Sequence, residues 1–105
     1  MDGQVNSNPN TDAAASAVKD FKIRNKLGLH ARAASQFVQV ANRFTADIFV
    51  TKNGREVNGK SIMGVLMLAA ERGSLITVRA GGEDAVTAIA ALGELTTRGS
   101  ERIDG

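Results

Sequence analysis

Cysteine, tryptophan and tyrosine are all missing from the 105 residues; proline occurs once and phenylalanine four times. Without cysteine there is neither a disulfide framework nor a thiolate metal site. Four phenylalanines and no other aromatic leave little from which to build a base-stacking platform, which argues against a nucleic-acid binder. The 13 basic and 11 acidic side chains leave a formal charge of +2, too balanced to draw the chain to nucleic acid or an anionic membrane. The longest apolar run, Ile62 to Ala70, falls far short of the roughly 20 residues that a membrane helix needs. No basic stretch followed by an apolar one opens the sequence, so no secretory signal is visible and the cytoplasm is the expected compartment.

What is present is ordinary for one soluble domain, with 43% hydrophobic and 23% charged residues. Residues 1–18, dominated by Asn, Ser, Asp, Gly and Ala and holding Pro9, read as a disordered tail, with the folded domain over 19–105. Phe21 and Ile23 alternate with Lys22 and Arg24, a short half-buried strand. A loop through Asn25, Lys26 and Gly28 leads to His30. From Ala31 to Asn42, Ala34, Phe37, Val38 and Ala41 recur at helical spacing. Thr45 to Lys52 alternates as a strand, Asn53-Gly54 suits a hairpin turn that needs positive φ, and Arg55 to Asn58 returns. Ser61 caps a helix expected to run to about Glu71 and to stop at Gly73. Leu75 to Ala80 is a further strand, turned by Gly81-Gly82. A last helix starts near Glu83 and Asp84, whose charges suit its positive end, and buries Ala85, Ile89, Leu92 and Leu95. The order is β-α-β-β-α-β-α, best satisfied by an antiparallel or mixed sheet with helices on one face.

His30 is the only histidine and stands directly before the first helix, with Arg32 two residues on. A neutral imidazole nitrogen is nucleophilic near neutral pH and can accept a phosphoryl group. The first-turn N–H groups and the helix dipole would meet the phosphate charge, and Arg32 would add a guanidinium. A lone histidine in an arbitrary sequence is more often a plain helix cap. The residues around it change that balance.

Gly28-Leu29-His30-Ala31-Arg32 resembles the active-site segment of the HPr family, the phosphocarriers of the phosphoenolpyruvate-dependent phosphotransferase system. Asn25-Lys26, Gln36-Phe37-Val38 and the run Asn58 to Val65 are similar to the same family, and so is the order of elements from about residue 20 to 98. The resemblance implies an α+β two-layer open-faced sandwich of four strands and three helices. It implies phosphorylation of His30 through Nδ1 by enzyme I, onward transfer to an EIIA domain or related regulator, and Arg32 as the phosphate-stabilising arginine. It implies a stoichiometric carrier, not a free-standing enzyme, acting as a monomer without metal or organic cofactor, and without nucleic acid or membrane insertion. Ser61 is the position of regulatory phosphorylation by HPr kinase/phosphorylase in the regulated versions of the family, and Ile62, Met63 and Leu66 are docking positions. The sequence departs from the family at Ala33, where a proline is usual.

Gly54 to Ser61 also fits the phosphate-binding loop pattern G-x-x-x-x-G-K-[ST] at every defined position, which would put Lys60 on nucleotide phosphates and Ser61 on magnesium. Three features oppose that alternative. Asn53-Gly54 is better read as a hairpin turn, no later strand delivers a Walker B aspartate, and the chain is short for a doubly wound sheet. A third alternative is an HPr-like regulatory module whose histidine transfers nothing.

Overall fold

The computed structural model describes residues 16–24 and 28–97. Residues 1–15 of the expected tail, Asn25 and Lys26 of the loop, and residues 98–105 lie outside them. Among the described residues the elements follow the expected order: β1 (Ser16–Lys22), α1 (Ala31–Ala41), β2 (Asp47–Lys52), β3 (Arg55–Asn58), α2 (Ile62–Met67), β4 (Leu75–Gly81) and α3 (Ala85–Thr97). The strands form one antiparallel sheet in the order β1-β4-β2-β3. The β1–α1–β2 crossover is thus split around a later strand, and β1 and β3 are the edges.

Alternation decides which face is covered. Ile48 and Val50 of β2, Ile76, Val78 and Ala80 of β4, and Phe21 of β1 are buried beneath Ala34, Phe37 and Ala41 of α1 and Ala88, Ile89 and Leu92 of α3. Each large apolar side chain so enclosed contributes about 1.5–3 kcal/mol. The opposite face carries Phe49 with Arg79 across from it in register, the guanidinium 4.7 Å from the ring centroid and 2.7 Å from Glu56. The result is a sheet with helices on one side only, the expected open-faced sandwich. No helix of the described residues is long and apolar enough to cross a membrane.

Several boundaries differ from the sequence expectation. β1 begins at Ser16, inside the stretch that composition placed in the tail, because Ser16, Ala17 and Val18 pair with Gly81, Ala80 and Arg79 of β4. β2 begins at Asp47 and α3 at Ala85, and one side chain accounts for both. The Asp84 carboxylate accepts the Thr45 N–H at 2.9 Å, the Thr45 hydroxyl at 3.3 Å and the Ala46 N–H at 2.9 Å, drawing Thr45 and Ala46 out of the ladder. Its own carbonyl accepts the Ala88 N–H at 2.9 Å, so Asp84 stands at the cap position of α3.

The second helix stops at Met67, not near Glu71. Ala69 takes a left-handed conformation, φ +50°, which no helix can pass through. The carbonyls released at the break are met from the hairpin between β2 and β3: Arg55 donates to Met67 O, and Lys52 donates to Leu68 O and Ala69 O, each at 3.4 Å. Gly73, with φ +89°, belongs to a separate turn whose N–H bonds Ile23 O at 2.9 Å. The Asn53-Gly54 turn is as expected, with φ +51° and +82°.

Candidate functional site

The chain enters the site along the far end of α2. Gly28 has φ +71°, and a Cβ at this position would overlap the carbonyl oxygen of Ala70. Only a residue without Cβ lets the two backbones come this close. The Leu29 N–H donates to the same carbonyl at 2.8 Å, and the Leu29 side chain is buried. His30 follows with extended backbone as the N-cap of α1.

The imidazole is turned onto its own helix. Its Nδ1 accepts the backbone N–H of Arg32 at 3.3 Å, and its carbonyl accepts the Ala34 N–H at 2.7 Å. Nε2 is enclosed by protein. A ring nitrogen that accepts a hydrogen bond presents its lone pair in that direction, so in the neutral ring the proton belongs to Nε2 and the free lone pair to Nδ1. It faces the helix end where N–H groups lack intrahelical carbonyls and the dipole is positive. An anionic group bonded to Nδ1 would lie against these donors. Arg32 is exposed, and its guanidinium has no partner among the described residues. Ala33, where the family usually has proline, is buried against the core.

Ser61 is the N-cap of α2, its Oγ accepting the Gly64 N–H at 3.1 Å. Asn42, just past α1, donates to Lys60 O at 3.4 Å, whereas Leu29, just before α1, is bonded to Ala70 beyond α2. The two helices therefore run antiparallel, with His30 at one end of the pair and Ser61 at the other. The length of α1, roughly 16 Å for eleven residues, separates them. Between them α2 exposes Ile62, Met63 and Met67, with exposures of 44%, 71% and 60%, while Leu66 is half-buried and packs on the core. Met67 belongs to the same apolar run in the sequence but not to the docking positions that the family resemblance implies. Its spacing of four residues from Met63 on a helix puts both methionines on one exposed face.

The phosphate-loop alternative fails on this geometry. Gly54 lies in the hairpin turn, Arg55–Asn58 is a strand paired with β2, and the Lys60 ammonium donates to the Phe44 carbonyl at 2.7 Å. Asn58 Oδ1 accepts the Lys60 N–H at 2.8 Å, so the loop is closed on itself and leaves no cradle for phosphates.

Comparison with known proteins bears on the family and the fold. The family described as "PTS HPr component phosphorylation site" matches residues 17–98. The phosphocarrier protein HPr of Neisseria meningitidis serogroup A is 49% identical over 77 residues, 73% of this chain and 86% of that protein. The crystal structure of HPr from Bacillus anthracis superposes with a TM-score of 0.76 at 49% identity, covering 78% of this chain and 98% of that one. The structure of Crh, the catabolite repression protein of Bacillus subtilis, described as a dimer with a swapped domain, gives a TM-score of 0.65 at 47% identity over 73% of this chain and 88% of that one. With the match running from β1 to the end of α3 and the solved relatives sharing its sheet and helix layer, the chain belongs to the HPr family of phosphocarriers of the phosphotransferase system.

Proposed function

We propose that His30 takes a phosphoryl group on Nδ1 from enzyme I, itself charged by phosphoenolpyruvate, and passes it to an EIIA domain or a related regulator in the cytoplasm. One observation carries the reading: Nδ1 stands 3.3 Å from a first-turn N–H, with its lone pair directed at the donors that a bound phosphoryl needs. In the transfer the Arg32 N–H releases Nδ1 and the freed lone pair attacks phosphorus. The N–P bond forms as the bond to the donor breaks, the released N–H turns to a phosphoryl oxygen, and the ring keeps its proton on Nε2. Phosphoryl transfer asks for positioning and charge stabilisation more than for covalent machinery, so a site this small is sufficient. The Arg32 guanidinium, exposed and unpartnered, swings onto the phosphoryl oxygens. The chain is a stoichiometric carrier, and as a monomer it leaves each partner quickly.

Ile62, Met63 and Met67 form the docking surface, with Leu66 at its base; methionine suits a surface that must fit several partners. Ser61 is the regulatory position for HPr kinase/phosphorylase. A phosphoserine there keeps its place at a helix N-terminus and adds about −1.5 to −2 charges. At roughly 16 Å from His30, twice the Debye length of about 8 Å, the charge acts on partner docking and not on the imidazole.

The likeness to Crh favours a second reading, a regulatory module that transfers nothing and works as a dimer. Intact mass after incubation with enzyme I, magnesium and phosphoenolpyruvate separates the two. The carrier gains one acid-labile phosphate that His30→Ala does not. No gain with active enzyme I from the same organism leaves the regulatory reading.

A further inference from the structure

The hydrogen bonds that end α2 also decide where His30 sits. The break at Ala69 turns the following peptide so that Ala70 O meets the Leu29 N–H at 2.8 Å, and Gly28 packs on that carbonyl without room for a Cβ. The loop that presents His30 thus takes its position from the Ala69–Ala70 peptide. A left-handed alanine is unfavourable by itself, and carbonyls at a helix C-terminus carry partial negative charge. Both need a reason to stay as they are. The half-buried Lys52 at the end of β2 supplies it: one ammonium bridges Leu68 O and Ala69 O, the carbonyls on either side of the Ala69 Cα, at 3.4 Å each. Arg55, by contrast, reaches only Met67 O, upstream of the break.

We infer that Lys52 is a positioning residue for phosphoryl transfer, acting on His30 through Ala69, Ala70 and the Leu29 N–H. The inference rests on His30 being the acceptor. The Lys52 hydrogen bonds go to backbone carbonyls and not to the imidazole or to the exposed Ile62, Met63 and Met67, so its loss leaves docking alone and misplaces the nucleophile. Lys52→Met keeps the aliphatic stem and removes the ammonium.

With enzyme I held constant and this protein as the varied substrate, Lys52→Met lowers kcat about threefold to tenfold and leaves KM unchanged; small misplacements of a reacting group have effects of this order or larger. Hydrogen exchange of the Leu29 amide speeds up, the His30 ring resonances shift, Lys52→Arg restores most of the rate, and Arg55→Met stays near wild type. If Lys52→Met does not fold cooperatively, Lys52→Gln replaces it with the same expectations. Unchanged kcat together with unchanged Leu29 exchange overturns the inference, and so does a rise in KM alone, which would place Lys52 in the docking surface. Should the wild-type chain take up no phosphate, the acceptor reading fails by itself, and the Leu29 and His30 signals still decide whether Lys52 holds the loop.

Discussion

Arg32 serves the site twice, through a backbone N–H on His30 Nδ1 and through a side chain that reaches into solvent. Arg32→Ala removes only the second. It should fold as the wild type does and accept phosphate about tenfold more slowly. That is less than the loss of a buried oxyanion donor, because water and salt screen an exposed guanidinium. Rapid-quench phosphorylation by enzyme I measures this, and an unchanged rate would mean that the backbone N–H groups suffice. Gly28 is the less forgiving position. Gly28→Ala combines a left-handed φ with a Cβ against Ala70 O, and should lower stability by about 2 kcal/mol in urea unfolding. At this scale much of the site was legible in the sequence: a histidine before an amphipathic helix, a glycine two residues ahead and an arginine two residues behind. Lys52 and Lys60 were not, since a lysine in a strand or loop gives no sign of which carbonyl it will reach.

The joint between α3 and the start of β2 depends on one carboxylate. The Asp84 carboxyl is held below its ordinary value of 3.8, first by the Thr45 N–H, then by the Ala46 N–H, its own N–H and the Thr45 hydroxyl, with burial working in the other direction. A carboxylate whose pKa falls on folding stabilises the fold fully above its unfolded pKa of about 3.9, and this contribution disappears as the pH drops through the lower folded value. Asp84→Asn should therefore unfold at lower urea concentration than the wild type near neutral pH. The gap should close as acid protonates Asp84 in the wild type. A gap that stays constant with pH would assign the effect to packing. Sequence reasoning put Asp84 at the helix start for its charge, which is correct in place, but the groups it binds lie in a loop 38 and 39 residues away. The end of α2 was hidden for the same kind of reason. Nothing local distinguishes Ala69 from the alanine after it; the break goes with the Ala70 carbonyl bonding the Leu29 N–H and with Lys52 bridging the carbonyls on either side of the Ala69 Cα.

Across the whole molecule, the sheet and its covered face support the helix layer, and the groups proposed to meet partners are gathered on that layer. His30 lies at one end of the antiparallel pair α1 and α2, Ser61 at the other, and the exposed methionines between. The element order and the buried stripes followed from periodicity alone, because periods of 2 and 3.6 residues declare themselves locally. The strand order β1-β4-β2-β3 did not, because it depends on which strands share an apolar face. A carrier built this way should discharge as readily as it charges. The most direct test is to purify the labelled phosphoprotein, free it of phosphoenolpyruvate, and mix it with enzyme I, magnesium and pyruvate. The account predicts that the label returns to pyruvate as phosphoenolpyruvate and leaves an unmodified His30. Label that stays on the protein, or leaves only as inorganic phosphate at the rate seen without enzyme I, would contradict it.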